Sequence, residues 1–162
     1  MKKLTVCMLM FLFLFGFTAC SEKTPTEINM HIDSLYTATM GDMTLSGLLI
    51  YSEQGEMYLD VSTPDELRGL SFSFKDDFTI GYNGLNAVTE NGYLPQSSFA
   101  QSVKNSLDDA LLAKPELVKS EDKKYTATAK GSSGCYKIHT DENGNIKEIE
   151  IVGADVKLKL KN

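Results

Sequence analysis

Cysteine and histidine are scarce in this chain, and their positions exclude several kinds of site. The 162 residues include three cysteines, two histidines, four prolines and no tryptophan. Zinc sites use Cys, His or carboxylate ligands at short, recurring spacings. His31 and His139 stand far apart, and neither has a cysteine or carboxylate at such a spacing. The sequence therefore predicts no metal and no other cofactor, and we expect both histidines to be ordinary surface residues of strands.

Basic residues are in the minority. Lys and Arg together number 16 against 22 Asp and Glu, which gives a formal net charge of -6. A surface of this sign repels phosphate backbones, and the sequence has no basic stripe, so we expect no nucleic-acid partner. The same charge argues against docking of the folded domain onto anionic lipid headgroups.

Long apolar runs are missing except at the beginning of the chain. Lys2 and Lys3 precede an almost unbroken apolar run from Leu4 to Phe17, which ends in Thr18-Ala19-Cys20. This order is typical of a secretory signal peptide. The alternative is a transmembrane anchor. It is disfavoured because the run is shorter than the roughly 20 residues that span a bilayer, and because a polar, acidic segment follows it.

The end of this run resembles a bacterial lipobox, since two small residues precede Cys20, although Phe17 stands where leucine is commonest. The resemblance implies cleavage before Cys20 and diacylation of this cysteine, which would anchor the protein to the cell membrane on its extracytoplasmic side. Two acyl chains hold firmly because each buried methylene contributes roughly 0.8 kcal/mol. We expect residues 1–19 to be the signal peptide, residues 20–27 the lipidated cysteine with a short tether, and residues 28–162 a single domain.

Cysteine pairing is then impossible within the mature chain. Cys7 leaves with the signal peptide and Cys20 carries the lipid, so Cys135 stands alone. It lies in a strand-like run with no helix N-terminus or basic cluster evident nearby, which are the features that activate a thiol. We expect a buried or half-buried structural thiol.

Alternation of apolar and polar residues dominates the chain from Ile28 onward and predicts an antiparallel sheet with one buried face. Asn83-Gly84 is the strongest two-residue hairpin signal, and Gly47 is expected to mark a β-bulge. The predicted strands cover residues 28–40, 43–51, 57–61, 70–74, 78–82, 85–88, 117–119, 125–129, 135–139, 146–152 and 156–161.

The last predicted strand carries its lysines on one face. Val156, Leu158 and Leu160 alternate with Lys157, Lys159 and Lys161. Such lysines either form a ligand patch or protect the edge of a sheet from pairing with another chain, and the second interpretation is the commoner. We therefore expect an edge strand.

One segment has a convincing helical period. Ser98 and Gln101 have the spacing of a capping box, and Pro115 ends the segment, so we predict a helix over Ser98–Lys114. Its apolar face should lie across the sheet. This face consists of Phe99, Val103, Leu107, Ala110 and Leu111. A second helix, starting at Thr63-Pro64-Asp65-Glu66, is expected to last about one turn.

Two patterns imitate known functional motifs. Ser120 to Lys123 matches the Ser-x-x-Lys spacing of penicillin-recognising enzymes, but it lies in a polar turn, and the companion motifs are absent. Asp141-x-Asn143-x-Asn145 imitates the start of a calcium loop, but Ile146 stands where glycine belongs and Val152 where glutamate belongs. We interpret the first match as coincidence and the second as a hairpin turn.

The acidic pairs Asp76-Asp77 and Asp108-Asp109 are expected to be solvated, in a turn and on a helix flank. No set of nucleophile, base and orienting group is evident in the sequence. We therefore expect a protein that is not an enzyme.

The apolar and aromatic residues of the sheet and helix have two interpretations. One is a filled core. The other is a cavity between sheet and helix that holds an acyl chain. The sheet would supply Tyr36, Phe72, Phe74 and Tyr82 as the main lining, with Met57 and Phe78 as further candidates, and the helix would supply Phe99, Val103 and Leu107 as a lid.

The order of these elements resembles a known family. The resemblance rests on Thr63–Phe74, on Leu94-Pro95 ahead of the helix, and on Tyr136-Lys137-Ile138 leading into the Asn143-Gly144 turn. The chain is similar to small Firmicutes lipoproteins whose domain resembles the lipoprotein-carrier (Lol-type) fold. In that fold a strongly curved half-barrel sheet, lidded by helices, holds lipid acyl chains. For this chain we expect an α+β domain, a curved antiparallel half-barrel-like meander with one main amphipathic helix across its concave face. The resemblance implies that the protein binds a lipid or other apolar ligand. The alternative is a non-catalytic structural or interaction module of the cell envelope with a filled core.

Overall fold

The computed structural model describes Pro25, residues 27–89, Leu94, residues 98–120 and residues 124–161. The predicted signal peptide, Cys20 and most of the tether lie outside the described residues, as do three of the four positions of the Ser120–Lys123 motif. Among the described residues, no helix is long and apolar enough to cross a membrane.

In the described part of the chain, eleven strands form one antiparallel sheet that is open and curled, which fits a half-barrel of the predicted α+β class. The order across the sheet is β6-β5-β4-β3-β2-β1-β11-β10-β9-β8-β7, so β6 and β7 are its edges. The strands are β1 (Ile32–Met40), β2 (Met43–Tyr51), β3 (Met57–Val61), β4 (Leu70–Phe74), β5 (Phe78–Tyr82), β6 (Leu85–Thr89), β7 (Val118–Lys119), β8 (Tyr125–Gly131), β9 (Gly134–Thr140), β10 (Ile146–Ile151) and β11 (Val156–Lys161).

The alternating pattern predicts correctly which face of β1 is buried. Ile32, Tyr36 and Ala38 are buried, whereas Leu35, which breaks the pattern, is 57% exposed on the opposite face. Side chains of successive strand residues point to opposite faces, so a period of two fixes the buried face once one residue is placed. The strand itself begins later than predicted, at Ile32.

The prediction that the last strand is an edge strand is wrong. β11 lies between β1 and β10, where Leu158 pairs with both Ala38 and Ile149. The alternation of Lys157 and Lys159 with apolar residues indicates a solvated outer face, and a central strand of a one-sided sheet has the same alternation as an edge strand.

The hairpin at Asn83-Gly84 is confirmed, with both residues at positive φ, 48° and 83°. A β-bulge is present beside Gly47, but it does not lie on β2, the strand to which Gly47 belongs. Between the pairs Ser46–Thr63 and Leu49–Leu59, β2 has two residues and the opposite chain segment has three. The extra residue therefore lies on the side of β3.

The main helix, α1, runs over Phe99–Ala113, and Lys114 ends it in the left-handed conformation. Ser98 takes the N-cap position, but its hydroxyl makes no cap hydrogen bond, and Gln101 instead donates to the Asn105 side chain at 2.8 Å. The predicted capping box is therefore wrong, although the helix is confirmed. The shorter predicted helix is a single 3-10 turn, Asp65–Leu67, and a second 3-10 turn follows β10 at Val152–Ala154.

The core lies between α1 and the inner face of the sheet. The helix buries Phe99, Val103, Leu107 and Ala110. The sheet contributes large buried side chains from both halves, among them Tyr36, Tyr51, Leu49, Leu59, Tyr136, Ile138, Ile149 and Leu158.

Candidate functional site

Four of the residues predicted to line a cavity lie in the packed core. Val103 and Leu107 are completely buried, and Phe99 is almost so. The Phe99 ring packs on Tyr36 with 5.8 Å between centroids, and the Tyr36 hydroxyl donates to the carbonyl of Asp60 at 2.8 Å. Burial first, and then the nearby Asp60 carboxylate, raise the pKa of Tyr36. This central part of the interface between helix and sheet is filled.

The other three predicted residues lie farther along the sheet. Phe72 and Phe74 on β4 are half-buried and pack against the core, and the Phe74 and Phe78 rings are in tilted contact with 4.7 Å between centroids. Tyr82 on β5 is 45% exposed, and its hydroxyl donates to the Glu66 carbonyl at 3.4 Å. The seven residues therefore do not converge on one cavity.

Helix length accounts for this separation. A helix of 15 residues, such as α1, is roughly 22 Å long. Eleven strands spaced about 4.8 Å apart make a sheet roughly twice as wide as that length. One helix can cover only part of such a sheet, so apolar residues outside its reach stay half-exposed. Phe72 and Tyr82 are residues of this kind.

A cleft of about 460 Å³ opens instead at the C-terminal end of α1, between the helix and the segment that leads into β1. We call it the helix-end cleft. Apolar side chains line its walls, and charged and polar side chains form its rim. The apolar residues are Ile28, Met30, Ala110, Leu111 and Pro115, and the rim residues are Glu27, Asn29, Glu53 and Lys114.

The end of the helix forms one wall of this cleft. Lys114 adopts φ 43°, and its backbone N–H donates to the Ala110 carbonyl, which closes the last turn. Pro115 follows and cannot continue the helix. Leu111 is half-buried at the edge of the core, so part of its side chain faces the cleft.

The segment before β1 forms the other wall and is held by the β9–β10 turn. The Asn29 backbone N–H donates to the Gly144 carbonyl at 2.9 Å, and the Asn29 side chain donates to Asn145 at 3.0 Å. Gly144 has φ 81°, and a Cβ at this position would lie 2.4 Å from the Glu27 carbonyl oxygen. The close approach therefore needs glycine.

A polar cluster fastens α1 to β2 near the cleft. The Tyr51 hydroxyl donates to Asp108 at 2.8 Å, and the second carboxylate oxygen of Asp108 pairs with Lys104. Burial is the main cause that raises the pKa of Tyr51, and the hydrogen bond and charge of Asp108 add to it. The adjacent Asp109 accepts hydrogen bonds from the backbone and hydroxyl of Ser132. The prediction that this acidic pair is merely solvated is wrong, because both carboxylates tie the helix to the sheet.

One further single-residue prediction is also wrong. Cys135 is exposed rather than buried, because β9 buries Tyr136 and Ile138, and Cys135 has the opposite parity. His139 lies on β9, and Glu148 and Glu150 on β10 lie beside it. Pairing of β9 with β10 creates this proximity, which no short sequence spacing reveals.

The Asp141–Asn145 segment is a hairpin loop, as predicted. The Asp141 carboxylate accepts hydrogen bonds from the backbone N–H groups of Asn143 and Asn145 and from the Asn145 side chain. Burial acts to raise the pKa of Asp141, but these bonds, together with Lys147, outweigh it and hold that pKa below its usual value.

The sequence pattern places four of the apolar residues of the helix-end cleft on the buried face of the sheet or helix, not in a cavity. Ile28 and Met30 belong to the apolar set that precedes β1, and Ala110 and Leu111 belong to the helical stripe. Alternation and helical period show which side chains face inward. They do not show where two inward faces fail to meet.

Comparison with known proteins gives similarities at the level of structure. No family model matches the chain, and no curated protein matches it. A crystal structure of a LolA superfamily protein from Nitrosomonas europaea is 9% identical, with a TM-score of 0.35 over 86% of this chain and 87% of that chain. The Firmicutes lipoprotein part of the resemblance stays a prediction.

Proposed function

We propose that this protein is a lipoprotein of the extracytoplasmic face of the cell membrane, anchored through Cys20, and that it binds an apolar ligand such as a lipid acyl chain. The observation that carries the proposal is the helix-end cleft, which has five apolar residues in its lining and a volume of about 460 Å³. Ligand pockets in proteins typically measure roughly 300–1,000 Å³.

The energetics of such binding are favourable. An acyl chain of about a dozen methylenes gains roughly 0.8 kcal/mol for each one buried, which exceeds a typical cost of association. The mixed rim suits a ligand with an apolar tail and a polar end, because Glu27, Glu53 and Lys114 remain in water at the mouth of the cleft.

The position of the cleft also favours a ligand taken from the membrane. Seven residues separate Cys20 from Ile28, and fully extended they reach no more than roughly 25 Å. Glu27, at the end of this tether, and Ile28 both line the cleft. A lipid-anchored Cys20 would therefore keep the cleft close to the bilayer.

We propose a binding role rather than a catalytic one. The described lining of the cleft includes no serine, threonine, cysteine or histidine that could serve as a nucleophile or as its base. Its charged residues, Glu27, Glu53 and Lys114, are all exposed to solvent.

Native mass spectrometry of residues 21–162, expressed without the signal peptide, tests the ligand. We expect a co-purified lipid that excess fatty acid displaces, and saturable binding when a fluorescent fatty acid is titrated into the same sample. A ligand-free mass together with no saturable titration would contradict the proposal.

A second candidate function, a structural or interaction module, has an observation of its own. Leu35, Ile50 and Tyr58 on the outer face are 57%, 36% and 38% exposed. The pairs Leu35–Leu48 and Ile50–Tyr58 place them in one patch. Contiguous exposed apolar residues often mark protein contacts. If residues 21–162 carry no ligand but form a dimer that Leu35→Glu dissociates, this candidate is favoured.

The anchor is tested by changing the cysteine that carries it. Cys20→Ala should release the protein from the membrane fraction or leave its signal peptide uncleaved. Cys135→Ala is the matched control, because Cys135 is exposed on β9 and should leave fractionation unchanged. Normal cleavage and unchanged membrane association of the Cys20→Ala variant would refute the lipid anchor.

A further inference from the structure

Three side chains with metal-binding atoms meet on the outer face of the sheet, away from α1. His139 on β9 is paired in register with Glu148 on β10. Glu150 follows two residues later and points to the same face. We call these three residues the outer-face cluster. The alternate residues of the same strands, Ile138 and Ile149, are completely buried on the inner side.

The distances in the outer-face cluster are close to those of a metal site. The Nε2 atom of His139 lies 3.9 Å from a carboxylate oxygen of Glu150, and one ligand atom from each of the three residues lies within 4.8 Å of the others. Neighbouring ligand atoms of tetrahedral zinc, with bonds of about 2.0–2.1 Å, are about 3.3 Å apart. Small side-chain rotations would close this difference.

A hydrogen bond to Nδ1, the nitrogen that faces away from the carboxylates, orients the His139 ring. The Nδ1 atom of His139 makes a hydrogen bond of 3.0 Å with the Thr126 hydroxyl on β8. Its Nε2 atom is inaccessible to solvent and has no hydrogen-bond partner. When the ring proton is on Nδ1, the Thr126 hydroxyl accepts the hydrogen bond from Nδ1–H, and Nε2 presents a lone pair toward the carboxylates. A metal-binding histidine is oriented in the same way by a partner on its other nitrogen.

A lysine holds the two carboxylates together. The Lys157 ammonium lies 2.7 Å from Glu148 and 2.7 Å from Glu150, and Lys159 lies 3.8 Å from Glu148. The hydrogen bond from Lys157 is the main cause that lowers the pKa of Glu150. The Lys157 side chain is 45% exposed, so its flexible stem can move the ammonium into water. A divalent cation would then take its place and neutralise both carboxylates.

We propose that His139, Glu148 and Glu150 bind a divalent transition-metal ion, with Zn²⁺ the best match, and that Lys157 moves into solvent as the ion enters. One imidazole and two carboxylates suit zinc, with a water molecule in the fourth position. The ion would enter from a broad depression of about 940 Å³, which the three ligands help to line. This site is independent of the helix-end cleft, so either proposal can fail without the other.

The experiment is a Zn²⁺ titration of the full-length chain, purified in a mild detergent, in competition with a chromophoric chelator. We expect one saturable site per chain. His139→Ala should weaken binding at least about tenfold, and Thr126→Val should weaken it by about tenfold, because partners of ligating histidines typically contribute that much. Lys157→Met should tighten binding, because it removes the competing cation.

His31→Ala is the matched control, because His31 is an exposed histidine outside the outer-face cluster. The zinc affinity of this variant should equal that of the wild type. Equal zinc affinity of the His139→Ala and wild-type chains would overturn the proposal, as would weaker binding by a folded Lys157→Met variant. If His139→Ala does not fold, the ¹⁵N shift of His139 Nε2 in the wild type decides. A change on adding Zn²⁺ supports the site, and no change overturns it.

Discussion

At the scale of single residues, the contact between Gly47 and Asp60 fixes how closely β2 and β3 approach. A Cβ on Gly47 would lie 2.0 Å from the Asp60 carbonyl oxygen and 2.7 Å from its carboxylate. The Asp60 carboxylate also accepts the Leu48 backbone N–H at 2.8 Å. The extra residue opposite Gly47 brings this backbone inward, and glycine leaves the space for it.

Gly47→Ala should therefore lower the free energy of unfolding by at least about 2–3 kcal/mol, because the clash is with backbone atoms that cannot rotate away. Gly84→Ala is the control. A Cβ there meets nothing within 4 Å, so only its positive φ costs free energy, about 1 kcal/mol. Chemical denaturation of both variants measures the difference, and equal losses would contradict the close-approach account.

Asp141 gives the protein a pH dependence that can be measured. Its pKa is lower in the folded chain than the ordinary value of 3.8. A carboxyl group whose pKa is lower in the folded chain than in the unfolded chain stabilises the fold at pH values above its unfolded pKa. This stabilisation is lost as the pH falls through the folded pKa. Asp141→Asn keeps one acceptor oxygen but removes the charge.

The Asp141→Asn variant should have a smaller free energy of unfolding than the wild type at about pH 7. The gap between the two free energies should narrow as the pH falls below about 4. Denaturation curves across this range give the gap directly. A gap that stays constant down to about pH 2 would show that the charge of Asp141 does not stabilise the loop.

At the scale of elements, α1 is held by one apolar face. Leu107 is completely buried on it, whereas Leu112 on the same helix is 84% exposed. Leu107→Ala should cost about 2–5 kcal/mol of stability, while Leu112→Ala should change it by less than about 0.5 kcal/mol. Thermal unfolding measures both. An unchanged melting temperature for Leu107→Ala would mean that α1 is not docked through this face.

The sequence predicts individual elements well and their neighbours poorly. The hairpin at Asn83-Gly84 and the helical stripe ending before Pro115 follow from local backbone preferences, and the structure confirms both. The edge position expected for β11 depends on which strands pair. That pairing joins the beginning of the domain to its end, and alternation within one strand carries no information about it.

At the scale of the whole molecule, the inner face has a filled centre and open parts. Phe99, Val103 and Leu107 meet the sheet where it is fully covered. The sequence places them on the inner face correctly, but it does not give the reach of the helix over the sheet. The cleft arises where the helix ends, at Lys114 and Pro115. The charged outer face forms in the same way, by strand pairing that brings His139 beside Glu150.

The position of a residue on α1 determines whether its substitution can test ligand binding. Val103 lies in the filled centre, so Val103→Glu would place a charge in the core and unfold the domain. Leu111 lines the cleft and is only half-buried, and the adjacent Leu112 points into solvent. The pair Leu111→Glu and Leu112→Glu therefore separates an effect on the cleft from an effect of added charge on the helix.

The most direct measurement is a fluorescent fatty-acid titration of these two variants beside the wild type, each checked for folding by circular dichroism. We predict saturable binding by the wild type and by Leu112→Glu with equal affinity. Leu111→Glu should bind at least about tenfold more weakly, because the acyl chain would meet a carboxylate in the cleft. A folded Leu111→Glu variant that binds the fatty acid as tightly as the wild type would contradict the placement of the ligand in the helix-end cleft.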